Sequence, residues 1–308
     1  MPRPNTRRRR NRPGRPSLPR VLALFLLASV WLLCSVARVT AAPILAPNLP
    51  GDHVVVRLDH ATVDWTDGLV YAAGYDDTGS TTQAWEQAVE NLIEGLLRLN
   101  VDPDSSCANV AARRPVFLAY LYRLVLQNAQ TALATNLAEE DGASVCVLIL
   151  HVRTSGFMPF VLEGLNVASL SEPRPMPTPI PRPATAGWLK EIRHPTGLVL
   201  DARKVDFQPS LCPAIYAQDG RLVFDKRYVR RVSFMQDGMC SFTNSLDEAK
   251  REARVGINPK VVEVISTTGL NGGDLVVSDN DAERLIFLRK RFVFLSKCRI
   301  AIVCNPCE

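Results

Sequence analysis

Between Thr81 and Leu99 the apolar positions Trp85, Ala88, Leu92, Ile93, Leu96 and Leu99 recur every three or four residues, the spacing of one helix face. Pro115 suits the first turn of a helix, and the pattern after it predicts a longer one running to about Leu137. The run ASVCVLILHV, Ala143–Val152, is apolar at nearly every position and rich in β-branched residues. That predicts a strand buried in the middle of a sheet. Upstream, Val63, Trp65, Leu69 and Tyr71 stand among Asp and Gly, a strand pattern broken by turn residues.

The pattern changes at SEPRPMPTPIPRPATAG. Proline fills every second position from Pro173 to Pro183, six in eleven residues, which neither a helix nor a sheet accepts. Those residues predict an extended spacer of roughly 34 Å at ~3.1 Å per residue. Elements resume beyond it. Gly197–Leu200 and Arg221–Phe224 predict strands flanking a proline-punctuated loop. Ser245 and Glu248 form a capping box at the start of SLDEAKREARV. Lys260–Thr267 and Asp274–Val277 predict strands joined through Asn271-Gly272-Gly273. Ser278-Asp279-Asn280-Asp281 supplies caps and early negative charge for a helix to about Phe292, and Arg299–Cys304 is a final buried strand.

Helices and strands mix without strict alternation, so the expected class is α+β. The expected layout is a leader at 1–41, an extended segment at 42–58, a first α+β domain at 59–168, the proline-rich linker at 169–187, and a second α+β domain at 188–308.

Charge sharpens the reading of the leader. The formal net charge is +5, yet residues 1–41 hold nine arginines and no acidic residue. The rest carries 27 basic against 31 acidic residues, a net of −4. The basic balance belongs to the leader, and nucleic acid is not an expected partner. The arginines precede an apolar run, Val21–Ala37, and a small-residue segment, Val39-Thr40-Ala41. This is the order of a secretory signal cleaved between Ala41 and Ala42. Left uncut, the same 17 apolar residues would anchor the chain in the inner membrane with its body outside the cytoplasm. The bulky Leu33 before Cys34 breaks a lipobox. Export to the periplasm or cell envelope is therefore expected.

An exported chain with eight cysteines favours disulfides over metal sites. Seven remain beyond the leader as candidates: Cys107, Cys146, Cys212, Cys240, Cys298, Cys304 and Cys307. The spacing does not give their connectivity, and the odd number leaves at least one thiol over. Cys304-Asn305-Pro306-Cys307 has the outline of a redox C-x-P-C, but a strand rather than a helix adjoins it, which favours a terminal staple. None of His53, His60, His151 and His194 has ligand spacing, and His151 reads as a satisfied core residue. Phosphate-cradling glycine loops and the nucleophile elbow are missing. No metal, cofactor or catalytic group is expected. Arg289-Lys290-Arg291 reads as a solvated helix face.

One pair stands out. Asp201 and Arg203 close the strand GLVLDAR two residues apart, so an extended chain puts both on one face. They form either a clamp for a ligand or partner, or a charge pair that fixes how the strand joins its loop.

GLVLDAR, the loop through Pro209, Pro213, Ile215 and Asp219-Gly220, and later SDNDAERLIFLRKRFVFLSKCRIAIV occur in an order that resembles an exported lipoprotein-like family. That family (the LPP20-like domain) includes the N-terminal region of flagellar assembly protein T. FMPFVLEGL, ending at Leu165, resembles its segment before the aspartate-alanine-arginine motif. Lys204 stands where the family usually has glycine, and the lipobox cysteine is missing. The resemblance implies an envelope location and a non-enzymatic assembly or scaffolding role. Its implied partners are envelope or appendage proteins, the flagellum being one such appendage. The alternative is an exported binding module for a small ligand or envelope polymer near Asp201 and Arg203.

Overall fold

The computed structural model describes residues 49–138, 144–158 and 194–305. The leader with Ala41 and Ala42, the proline-rich segment and Cys307 lie outside them. The class is α+β. The described residues lie in one compact unit.

A five-stranded sheet is ordered β1-β2-β3-β7-β6, all neighbours antiparallel. Its strands are β1 Val55–Arg57, β2 Ala61–Asp64, β3 Leu69–Asp76, β6 Gln130–Ala138 and β7 Ser144–Arg153. Helix α1, Thr81–Arg98, lies on this sheet with Ala84, Ala88, Leu92, Ile93 and Leu96 buried. Ser80 caps it by accepting the Gln83 N–H. The approach is close. A Cβ at Gly74 of β3 would sit 1.9 Å from the Ala84 carbonyl oxygen, so only glycine admits the helix there. Trp85, expected on the buried face, is 36% exposed, and Ala84 and Val89 are buried in its place.

Two short elements follow: a hairpin of β4 (Asn100–Asp102) with β5 (Ser105–Ser106), then α2, Cys107–Arg113, closed by a capping box of Ser106 and Asn109. Helix α3 begins at Pro115 as expected but stops at Asn128. The expected continuation to Leu137 is β6, paired to β7. Helical and strand periods overlap in this stretch. Thr131, Thr135 and Asn136 are poor helix formers, and β7 has a free ladder edge to be satisfied. β7 itself is central, between β3 and β6, with Cys146–Leu150 buried throughout.

A seven-stranded sheet occupies the rest, ordered β10-β9-β13-β12-β8-β14-β11. Its strands are β8 Gly197–Asp201, β9 Ile215–Ala217, β10 Leu222–Phe224, β11 Ser241–Thr243, β12 Pro259–Thr268, β13 Asp274–Val277 and β14 Ile300–Val303. Strands β12, β8, β14 and β11 run parallel, which explains why GLVL is buried at every position. Among the described residues three α-helices accompany it: α4 Arg231–Asp237, α5 Leu246–Arg251 and α6 Asp279–Arg291. Ser245 caps α5 and Ser278 caps α6, each through the backbone N–H three residues on. Arg289 of α6 departs from the solvated face expected for it. Its guanidinium lies 3.6 Å from the centre of the Tyr228 ring and donates to the Val223 carbonyl.

Residues on both sides of the proline-rich segment belong to one apolar cluster. Trp65 meets Phe242 edge to face at 5.3 Å. The β4–β5 hairpin is the polar part of the seam. The Asn100 carbonyl accepts the Leu211 N–H at 2.9 Å, and Lys226 Nζ lies 2.8 Å from an Asp102 oxygen. Asp102 also accepts from the Ser105 hydroxyl at 2.6 Å. Burial pushes the Asp102 carboxyl up, but Lys226 and Ser105 together outweigh it and hold it below the usual carboxylate range.

The side chains of Lys226 and Asp102 are only 23% and 19% exposed, so Lys226→Met should leave a largely buried carboxylate without its counter-ion. The expected cost is about 1–3 kcal/mol in urea unfolding, partly restored by adding Asp102→Asn. An unchanged midpoint in the single variant would remove the pair from the account of the seam.

Candidate functional site

Asp201 and Arg203 come together as the sequence predicts. β8 delivers Asp201 at its carboxyl end, and the chain turns at once, so Arg203 folds back onto it. The contact is two-pronged: Arg203 Nε to Oδ1 at 2.8 Å and Nη2 to Oδ2 at 2.7 Å. The Arg203 backbone N–H adds a third bond to Oδ1, and Asn305 donates to the Arg203 carbonyl at 2.8 Å. The bond from Arg203 is the main reason the Asp201 carboxyl sits below its ordinary range. Lys204 turns away to Glu263, 2.7 Å distant. Both prongs of the Arg203 fork are thus occupied by its own neighbour, an arrangement that locks the turn after the central strand.

The expected disulfide candidates are spread through the core. Cys107, Cys146, Cys212, Cys298 and Cys304 are buried and Cys240 is half-buried, and Cys107, Cys146, Cys212, Cys240 and Cys298 carry free thiols. Burial pushes the Cys212 and Cys298 thiols up to about 12 and raises Cys107 and Cys240 as well. Such thiols stay protonated and unreactive near neutral pH. Cys304 directly follows β14, which ends at Val303, and is not itself helical.

His151 is not the satisfied core residue expected. Its Nδ1 has no hydrogen-bond partner, and the ring leans on Tyr71 at 5.4 Å. Sequence spacing also passed over a cluster of His53, Asp64 and Asp67, whose ligand atoms lie within 4.8 Å of one another. Its bonds account for it without an ion. Asp64 is fully buried, takes His53 Nδ1 at 2.7 Å, and accepts the Thr66 and Asp67 N–H groups.

Next to that turn lies a cavity of about 220 Å³, room for a small molecule. Its wall combines the turn from Trp65 to Gly68 and Arg153 with residues of the second sheet's side, Ser210, Leu211, the α4 terminus at Asp237 and Arg254. The two arginines share a feature. Arg153 donates to the Asp67 carbonyl at 3.3 Å. Arg254 donates to the carbonyls of Cys298 and Asp237. Neither has a carboxylate within ion-pair distance among the described residues. Each is held by backbone oxygens, which fix a guanidinium without neutralising it. Two more wall residues carry buried polar atoms with no partner, Trp65 Nε1 and Ser210 Oγ. Sequence reasoning passed over this site because its residues are scattered from Trp65 to Arg254 and no spacing links them.

Fold and site together define an α+β protein with a polar cleft between two sheets that share a core. The family described as Treponema pallidum Tp0624, second domain, matches residues 197–306. The second sheet of this chain is therefore similar to that domain, and the match stops short of the first sheet. No curated protein matches the chain.

Asp201→Ala should cost no more than about 1 kcal/mol in thermal or urea unfolding, because the Arg203 side chain is 41% exposed and water screens the pair. A loss well above that would show that the turn depends on the carboxylate more than its exposure implies.

A second acid tests the electrostatics of the fold. Burial lifts the Asp274 carboxyl to about 6, against the N–H of Ala214 that donates to it at 2.6 Å. An acid raised on folding binds more protons folded than unfolded between its two pKa values. Its contribution therefore favours folding as pH falls from about 7 toward 4, by up to about 3 kcal/mol. Asp274→Asn keeps an oxygen for Ala214 and should flatten the melting temperature between pH 7 and pH 5. A slope equal to that of the parent would overturn the assignment.

Proposed function

We propose that the chain is a non-enzymatic bacterial envelope protein with an assembly or scaffolding role, exported through its arginine-led apolar leader. Envelope or appendage proteins are its partners, with the flagellum as one client that the sequence resemblance names. Among the described residues no helix is long and apolar enough to cross a membrane.

The observation that carries the proposal is the free edge of the first sheet. β6 is nine residues long, bonds to β7 alone among the described residues, and contains no charged residue and no proline. Charges, prolines and short length are three of the devices that keep an edge strand from pairing with another chain, and β6 has none of these three, its one irregularity being a register shift against β7 between Thr131 and Leu133. Just before it, α3 exposes Val116 (65%), Leu118 (37%), Tyr122 (45%) and Leu126 (56%). An apolar helix face leading into an open edge strand is suited to a protein partner that adds a strand and covers the helix.

In-cell cross-linking of a tagged chain should enrich envelope or appendage assembly components, as identified by mass spectrometry. Leu126→Glu and Leu133→Lys alter exposed positions on α3 and β6, so they should leave the fold intact and abolish that enrichment. Recovery of the parent chain alone in the soluble exported fraction would overturn the proposal.

A further inference from the structure

We propose that the cleft between the two sheets binds a small zwitterion of amino-acid type, a carboxylate and an ammonium on one compact molecule with an apolar side chain. This reading is independent of the assembly face.

The carboxylate half follows from Arg153 and Arg254. A guanidinium has five N–H donors, and the bonds to Asp67, Cys298 and Asp237 use backbone carbonyls, which bear no net charge. Both side chains are oriented before any ligand arrives and both keep donors in hand. Arg254 is also half-buried, and although its charge acts on the nearby Glu252 carboxyl, no carboxylate among the described residues lies within ion-pair distance of it, so its remaining donors favour a ligand carboxylate.

The ammonium half follows from the opposite charges on the same wall. Asp67 and Asp237 are exposed, and neither carboxylate has a basic side chain within ion-pair distance among the described residues. Two arginines and two aspartates give the wall no net charge. A bare anion would gain from one pair of groups and be repelled by the other. A molecule carrying both charges uses all four.

The apolar half follows from Trp65, Met158 and Met239, each almost wholly buried and each lining the cleft. Ser210, also on the wall, adds a hydroxyl whose oxygen is buried without a partner. A wall that leaves Ser210 Oγ and Trp65 Nε1 unsatisfied is not complete by itself.

The test is isothermal titration of the full chain at constant ionic strength with leucine, methionine and phenylalanine. Each is run beside its N-acetyl and its carboxamide derivative, with acetate and phosphate as separate probes. The expected result is saturable binding of at least one free amino acid, weakened about tenfold or more by blocking either end. Arg153→Gln and Asp67→Asn are exposed substitutions that should keep the melting temperature of the free protein and each weaken binding about tenfold. Arg254→Gln should do the same, with Arg153→Gln as the informative variant if Arg254→Gln unfolds. Equal binding of acetate or phosphate and of the free amino acid, with no effect of blocking the amine, would overturn the zwitterion in favour of a plain anion. Absence of saturable binding by every probe, or unchanged affinity in both Arg153→Gln and Asp67→Asn, would overturn the site itself.

Discussion

Asp102 and Lys226 stand far apart in the chain yet meet at 2.8 Å, and the rest of the molecule is arranged around that meeting. Neither charge could stay at the seam alone, because each is mostly shielded from water. Their pairing brings the β4–β5 hairpin onto the second sheet, where Asn100 takes the Leu211 N–H and Asn271 reaches the Asn100 side chain at 3.2 Å. The apolar faces then close into one cluster on either side. Hydrophobic burial drives the two sheets together but is indifferent to small slides between them. The hairpin supplies the directional bonds that choose one position.

The elements legible in the sequence are those whose signal is local. The face of α1, the caps at Ser245 and Ser278, the turn at Asn271-Gly272-Gly273 and the two-sided burial of β7 and β8 can all be read within a dozen residues. The elements misread or passed over depend on partners outside such a window. β6 looks helical by spacing and becomes a strand because β7 has an edge to fill. The β4–β5 hairpin has almost no apolar pattern, since its task is polar and its partners lie in the other half of the chain. The cleft is the extreme case, with a wall running from Trp65 to Arg254.

Asp201–Arg203 and the cleft arginines show how similar side chains come to have different chemical prospects. Arg203 is neutralised by the residue two places before it, so the pair is legible in sequence for the same reason that it offers little to a ligand. Arg153 and Arg254 are positioned by carbonyls and keep their charge available. In this chain the conspicuous pair stabilises a turn, and the groups with unspent capacity are those no motif would have marked.

The cleft and the seam are therefore not independent. The wall takes residues from both sheets, so a ligand touching Arg153 and Arg254 together binds only the state in which the sheets are joined. By linkage it stabilises that state by RT ln(1 + [L]/Kd), with no new contact within the protein. Edge strand β6 is bonded to β7, and β7 ends at Arg153, which donates into the turn forming the cleft's first wall. The same strand thus carries the free edge's neighbour and one arm of the cleft. The ladders that join β7 to β3 and to β6 already set its register, so the coupling runs through the joining of the sheets and leaves the β6 edge as it stands.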